Sequence, residues 1–473
     1  MASVPELGVG ITYSKAIEPL VHEHAALFDV VEIEPQMLWT LSGDREWPFR
    51  MRESVLERLK NLPAQKLVHS IGVPVGGALP LDHDQLAMLR SLARDLGSPW
   101  LSEHLSFNAT TSHSTGFFLP PRQTTSGVAA AVAAVDALRS GVGAPVAVET
   151  GVNYLRPRHD EMPDGAFVGE VSEAADCGIL LDLHNIYTNA RNGRESVDEF
   201  LAHLPLERVW EIHLAGGFEQ DGFWLDAHSG AICSDVLEIA RRVIPILPNL
   251  GAINFEIFPS FVEEFGYDGI RSEMEVLHQL WGQRIRKAHT LLRRAHAGQS
   301  SSEISPSTWR EALGAAVIGR PASSELATEL ARDPGVALVG ELIHEFRGSM
   351  VVGVFPLTSR LIMLARGPAV LRSLLERYWQ IQPPIPFAAS EAIAFAEYLE
   401  GEQLDIPDLN DVLAFERAVV STMSDDRTRV VGFAFDPIPL LSSLAERSLP
   451  SVHGEPGNFE LEIRPNDVIL HKR

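Results

Sequence analysis

The chain has 473 residues, 45% of them hydrophobic, with 31 prolines, 36 glycines and a formal net charge of −24. That is the composition of a folded chain with a sizeable core, and its length predicts two domains. So acidic a surface argues against a nucleic-acid partner, whose phosphates require basic residues, and two cysteines (Cys177 and Cys233) exclude a disulfide framework. The opening "MASVPELGVGITYS" has no basic start followed by an apolar core, and no apolar run reaches the ~18 residues of a membrane span. The expectation is a cytoplasmic, reducing setting with no membrane partner.

Along the first 300 residues one pattern recurs: a short β-branched apolar run, a polar loop, then a helical stretch. The runs are "GVGITYS" (8–14), "VVEIEPQ" (30–36), "KLVHSIG" (66–72), "PWLSEHLSF" (99–107), "PVAVETGV" (145–152), "GILLDLHN" (178–185), "RVWEIHLAG" (208–216) and "AINFEIF" (252–258). Amphipathic segments such as 54–62, 84–97 and 126–141 lie between them. Strands alternating with helices imply parallel βαβ units. Eight such units in about 250 residues predict an α/β fold, a TIM-like (β/α)8 barrel. A doubly wound open sheet is the structural alternative, but no G-x-G-x-x-G opens a helix here. The barrel is expected over 1–296. After a helix-like stretch (265–297) comes "AGQSSSEISPS" (297–307), a linker, and 308–473 reads as a second domain, mainly helical and ending in strands ("RVVGFAF", "NFELEIRP").

Seven of the eight runs carry a carboxylate, an imidazole or both, mostly near the carboxyl end, the face where barrel active sites form. Glu32 and Glu34 lie on the second run, His69 on the third, and Glu103 with His104 on the fourth. Glu149 is on the fifth, followed by Asn153; Asp182, His184 and Asn185 end the sixth. The seventh holds Glu211 and His213, the eighth Glu256, and "DAHSG" after the seventh adds Asp226 and His228. Asp182 and His184, Glu211 and His213, and Asp226 and His228 are each two apart, so in extended chain both members of a pair share a face. Polar residues on a barrel strand fit only its interior mouth.

Internal ion pairs are the plainer reading of any one such residue, and they weaken as an account of the set. Lys66 and Arg208 sit at strand starts, on the opposite rim, and the loop arginines Arg156, Arg158, Arg191 and Arg194 are too few to neutralise Glu149, Asp182, Asp226 and Glu256. Bound cations are the economical counter-charge. Imidazole and carboxylate without thiolate suit Fe, Mn or Zn, and at least nine donors can hold two or three ions. Trp39, Trp224 and Tyr187 either line a peptide groove or pack.

"LVHSIG", "LSEHLSF", "VETGVNYL", "LLDLHNIYTNARN", "EIHLAGG", "DAHSG" and "NFEI" occur here in the order seen in the multinuclear non-heme iron-dependent oxidative enzymes, the family of the methanobactin-biosynthesis oxidase. The resemblance covers roughly residues 5–290. It implies that His69, His104 and Glu149 hold one iron, with Glu149 bridging to a second completed by Asp182, His213 and Glu256. It implies a third iron on His184, Asp226 and His228, although many relatives have Asn where this chain has His184. Asn153 and Asn185 are then groups that orient the imidazoles, with Glu103 and Glu211 close by, and Glu32 and Glu34 line the pocket. Family members use mixed ferrous and ferric ions, with dioxygen as co-substrate, to oxidise cysteine in ribosomally made precursor peptides. They usually work with a separate partner that recognises the peptide leader. Residues 383–420 look like the helical part of such partners, so the second domain is read as that partner, fused. The rivals are a zinc or manganese barrel hydrolase or isomerase and a metal- or peptide-binding module without turnover.

Overall fold

The computed structural model describes residues 4–41, 49–284, 304–321, 324–402, 404–451, 454–465 and 467–472. Eight parallel strands close a barrel in chain order: β1 (Gly8–Thr12), β2 (Val30–Ile33), β3 (Gln65–Ser70), β4 (Leu101–His104), β5 (Val146–Glu149), β6 (Gly178–Asp182), β7 (Val209–Ala215) and β8 (Ala252–Glu256). Each occupies one of the eight apolar runs, as strands buried on both faces should. β8 returns to β1, pairing Gly8 with Ala252 and Ile11 with Phe255. Closure leaves no room beside β1: a Cβ on Gly10 would lie 2.3 Å from the Val30 carbonyl oxygen and 2.6 Å from Asn254 Oδ1.

The barrel interior is divided along its axis. At the amino ends of the strands, Leu7, Val30, Leu67, Trp100, Ala147, Trp210 and Ala252 form an apolar plug, with the two indoles edge to face at 6.3 Å. Above it the inward positions turn polar. Two of the helices between the strands start at capping side chains: Asp82 accepts from Asp84 N and Gln85 N before helix His83–Leu96, and Thr124 accepts from Gly127 N before Thr125–Val142. β6 runs without a loop into helix Leu183–Arg191, capped by Asp182 itself.

The chain forms two compact units, and their boundary differs from the expected one. The first comprises Met1–Trp39, Met51–Thr111 and Phe118–Leu338; the second comprises Thr40–Arg50, Ser112–Phe117 and Val339–Arg473. Of the expected linker, residues 297–303 lie outside the described residues; the helix expected over 265–297 runs instead over Pro259–Trp281 and is capped at Gly282, and 285–297 lie outside the described residues. The second domain does not begin at 308, because helices Pro306–Val317 and Glu325–Leu330 pack into the first unit. Trp309 is buried there, donates its indole N–H to the Pro120 carbonyl at 2.9 Å and lies under the Arg122 guanidinium at 5.1 Å. Glu311 accepts from both the backbone N–H and the hydroxyl of Thr111, and Arg158 pairs with Glu329 at 2.8 Å.

In the second unit, helices from 339 to 445 surround a core that includes Phe355, Leu374, Tyr378, Phe395 and Val412. Glu416 accepts from Leu357 N and Thr358 N, each at 2.8 Å, at the start of helix Pro356–Arg366. Two excursions from the barrel loops belong to it: Phe49 packs on Phe387 at 5.4 Å, Arg50 pairs with Asp426, and Gly116 abuts Pro384. It ends in an antiparallel sheet of β9 (Arg429–Phe435), β10 (Pro456–Arg464) and β11 (Asp467–Lys472), of which the sequence reading singled out only the first two. Among the described residues no single helix is long and apolar enough to cross a membrane; helices Pro334–Val354 and Pro356–Arg366 meet that criterion only jointly, across a 104° bend.

Trp309→Ala deletes a buried indole together with its hydrogen bond, so it should destabilise the full chain by about 3–5 kcal/mol. Urea unfolding followed by fluorescence checks this. An unchanged midpoint would mean that 306–338 contributes nothing to the first unit.

Candidate metal centre

β4 and β5 end on His104 and Glu149, β3 carries His69 one residue before its end, and the three meet at one side of the barrel mouth. The Ser102 hydroxyl at 2.9 Å takes up His69 Nδ1 and leaves Nε2 turned inward. That Nε2 lies 3.3 Å from His104 Nε2 and 3.3 Å from Glu149 Oε2, while His104 Nδ1 lies 2.7 Å from the same carboxylate oxygen. The Phe118 ring, 3.9 Å from the His104 ring, covers the imidazole.

Across the mouth, Asp182 uses Oδ1 to cap its helix, accepting from Asn185 N at 2.8 Å, and keeps Oδ2 free of hydrogen bonds. His213 on β7 stands between two glutamates, its Nε2 3.1 Å from Glu32 Oε2 and its Nδ1 3.1 Å from Glu256 Oε1. His228 Nε2 lies 3.0 Å from Asp226 Oδ1 and 3.4 Å from Glu256 Oε2. To reach that place His228 adopts φ +45°, a conformation that a non-glycine residue holds only when its surroundings enforce it. Its carbonyl is fixed by Phe258 N at 3.0 Å, and the Phe258 ring packs at 4.6 Å on the imidazole.

Proximity here does not mean hydrogen bonding. Glu149 Oε2, Asp182 Oδ2, His213 Nδ1, His228 Nε2 and Glu256 Oε2 are buried, and none has a hydrogen-bond partner. Buried orphan groups are costly, and donor atoms aimed at a common point rather than at each other are what a metal ion requires. Four trios bring their donor atoms within 4.8 Å of one another: His69–His104–Glu149, Glu149–Asp182–His213, Glu32–His213–Glu256 and Asp182–His228–Glu256. Ions bonded at ~2.0–2.2 Å fit such spacings. Glu149, Asp182, His213 and Glu256 each serve two trios, so neighbouring ions would share ligands.

The electrostatics agree. Among the described residues no lysine or arginine forms an ion pair with Glu149, Asp182, Asp226 or Glu256. The loop arginines turn elsewhere: Arg158 to Glu329, Arg194 to Asp164 at 2.8 Å, and Arg191 over Trp224 at 5.0 Å. Burial drives the Asp182 carboxyl well above its ordinary range, and repulsion from Asp226, Glu256 and Glu149 adds to it. Burial opposes the charged form of Glu256 as well, but His213 and His228 outweigh it and bring the carboxyl down to about 2. For His69, burial disfavours the cation, and Glu149 overrides it to raise the imidazole to about 10.

The remaining expected residues divide between the centre and its supports. Asn185 donates to Glu149 Oε1 at 3.4 Å and to the Thr150 carbonyl, with its own Oδ1 buried and unpaired. Asn153 orients no imidazole; its Oδ1 accepts from Leu155 N in its own loop. Glu103 turns away from the centre, accepting from Ser70 Oγ and Val73 N. Glu211 lies beneath the mouth, accepting from Trp100 Nε1 at 3.0 Å and Asn254 Nδ2 at 2.7 Å. Glu32, expected only to line the pocket, belongs to a trio, and burial pushes its carboxyl up to about 8. Burial also raises Glu34, with His69 and His228 among its electrostatic neighbours.

The two-residue spacing holds as drawn for Glu211 and His213 on β7. It fails for Asp182 and His184, since the strand ends between them, and for Asp226 and His228, which lie in a loop. The two histidines converge instead on Asp226, His184 Nδ1 and His228 Nε2 each 3.0 Å from its Oδ1. Ser102 and Asn254 were missed, although each is two residues before a candidate ligand on its strand, His104 and Glu256, and that alternation marks both as inward-facing.

Metal entry has to displace the protons that His69, His213 and His228 retain above the usual imidazole range. Raised imidazole values keep those protons bound through neutrality, so affinity for a divalent ion should climb steadily from pH 6 to pH 8. Competitive Zn(II) titrations in that window, with proton release measured in weak buffer, check the sign. A pH-independent affinity would remove the imidazoles from the ligand set.

Comparison with known proteins shows the family. The model of the RiPP (ribosomally synthesised and post-translationally modified peptide) precursor modification enzymes MbnB/TglH/ChrH matches residues 8–256, more than half the chain and all eight barrel strands. A UPF0276 protein of Chromobacterium violaceum is 33% identical over 177 residues, 37% of this chain and 64% of that protein, just under two thirds of its length. UPF0276 protein NMB2142 of Neisseria meningitidis serogroup B is 31% identical over 238 residues, 49% of this chain and 82% of that one. Among solved structures, a xylose isomerase domain containing protein of Salmonella typhimurium lt2 aligns over 60% of this chain and 100% of its own, at 16% identity and a TM-score of 0.40. With its barrel strands all inside the match, the chain belongs to the MbnB/TglH/ChrH family of RiPP precursor modification enzymes.

Proposed function

We propose that the chain is an iron- and dioxygen-dependent oxidase acting on cysteine residues of a ribosomally made precursor peptide. The observation that carries this reading is the group of five buried donor atoms, on Glu149, Asp182, His213, His228 and Glu256, that have no hydrogen-bond partner in the barrel mouth. The donor set is imidazole and carboxylate without thiolate, which suits iron, and the motif series supports cysteine as the target. Bound there, iron with open positions supplies one-electron chemistry toward dioxygen and a thiolate.

The chain's own residues prepare the site for it. His69, His104 and Glu149 hold one end, Asp182, His213 and Glu256 the middle, and His228 the far end. Ser102 keeps His69 Nε2 pointing inward, and Asn185 engages Glu149 Oε1, leaving Oε2 for the centre. Beneath them Trp100, Glu211, Asn254 and Glu32 fill the barrel and keep water from approaching from below. Phe258, 46% exposed beside His228, offers apolar surface to an incoming peptide.

The second unit is read as the leader-recognition module. Its β11 is a sheet edge whose Val468 and Leu470 pair across from the buried Ile463 and Leu461, yet remain 47% and 36% exposed. An edge with uncovered apolar side chains suits addition of a peptide strand.

Anaerobically purified full-length protein loaded with Fe(II) should consume dioxygen when given a cysteine-containing precursor, with a mass change located at cysteine. Zn(II)-loaded protein should not. Equal consumption with a Cys→Ser precursor would defeat the cysteine assignment. In the same assay, Val468→Lys with Leu470→Lys should raise KM for the full precursor several-fold with kcat kept; an unaltered KM would release the second unit from leader binding.

A further inference from the structure

The ligand set that the resemblance implies for a third ion includes His184, and the surroundings of this ring do not allow it. His184 is fully buried in the first turn of helix Leu183–Arg191, with one polar partner on each ring nitrogen. Trp224 Nε1 donates to Nε2 at 3.1 Å, and Nδ1 lies 3.0 Å from Asp226 Oδ1. A tautomer is always inferred from its partners, and here the partners leave a single choice. An indole N–H is a donor and nothing else, so Nε2 is the acceptor. A neutral imidazole has one acceptor nitrogen, so Nδ1 carries the hydrogen and donates it to Asp226. A ring in that state has no lone pair left for a metal. Ligation through Nδ1 would place a proton on Nε2, facing the indole N–H donor to donor.

The indole cannot readily give way. The Trp224 backbone is held at both ends by Asn192, which accepts from its N–H at 2.9 Å and donates to its carbonyl at 2.9 Å. Arg191 lies over the indole face at 5.0 Å. On the imidazole side, Gly217 leaves room for the ring edge: a Cβ there would stand 2.6 Å from His184 Nε2. Asp226 is fixed in turn, its backbone N–H donating to the Tyr154 hydroxyl at 3.1 Å.

We propose that His184 is a positioning residue, not a ligand: locked by Trp224, it donates to Asp226 and sets the carboxylate that faces His228. The far end of the centre then rests on Asp182, His228 and Glu256, the trio whose inward donor atoms are all unpartnered, with Asp226 beside it. This deepens the proposed function and rests on the mouth being a metal centre, but the state of the ring can be read with or without an ion.

Two measurements test it. First, full-length protein and its His184→Asn and His228→Ala variants are loaded with Fe(II) anaerobically, desalted and assayed for iron per chain by mass spectrometry. An Asn side chain can still donate to Asp226. His184→Asn should therefore keep the parental iron content while His228→Ala loses about one ion; equal loss in both overturns the proposal. Second, in protein labelled with 15N-histidine and loaded with Zn(II), the resonances missing from the His184→Asn spectrum should be those of a protonated Nδ1 and an unprotonated, metal-free Nε2. A metal-shifted Nδ1 overturns it. If His184→Asn does not fold, Trp224→Phe replaces it: the Nδ1–H signal should persist and the Nε2 signal should shift as its donor is lost. No iron in the parental protein would count against the oxidase reading alone, since the tautomer is then read in the metal-free chain.

Discussion

Carboxylates gathered where, among the described residues, histidines but no lysine or arginine pair with them set the terms for the whole first unit. A parallel barrel must be filled, and in most it is filled by branched apolar residues. Here only the amino-terminal half obeys that rule, as the Trp100–Trp210 plug. The other half holds Glu32, Glu149, Asp182, Glu211 and Glu256 at almost no exposure, an arrangement that is expensive for a protein unless each charge has a counterpart. Trp100 joins the two halves, apolar in its ring and a donor to Glu211 through its nitrogen.

Sharing is the second theme of the mouth. Glu149 faces His69, His104 and Asn185; Glu256 faces His213 and His228; Asp226 faces His184 and His228. No imidazole in this chain of contacts stands alone with its carboxylate, so a change at one position is felt two residues on, and substitutions there will not be additive. The supports are ordinary polar residues: Ser102 bonds His69, Tyr154 accepts from the backbone of Asp226, and Asn254 donates to Glu211 and Glu32.

Much of this was legible in the sequence because its signals are local. β-branched runs read as strands, and titratable groups at the ends of seven of them stand out by residue type. What stayed hidden depends on distant partners. Ser102 and Asn254 look like any polar residue in a strand until the barrel closes around them. Trp224 reads equally as packing or as groove until its indole is seen against His184, forty positions earlier in the chain. The meeting of Asp226 with His228 depends on one left-handed residue in a loop, which no two-residue rule foresees. The Gly/Ser-rich stretch at 297–307 reads as a linker, and nothing in it signals that Trp309 just beyond would be buried in the first unit.

The interleaving of the two units along the chain bears on how the protein is made and how it could have arisen. Pieces 40–50 and 112–117 belong with residues beyond 338, so the second unit must wait, as the ribosome works, for partners encoded far downstream. Long loops have to close before those contacts form, which disfavours vectorial, module-by-module folding. For the same reason no single cut of the chain separates the two units, because two pieces of the second lie inside the sequence of the first.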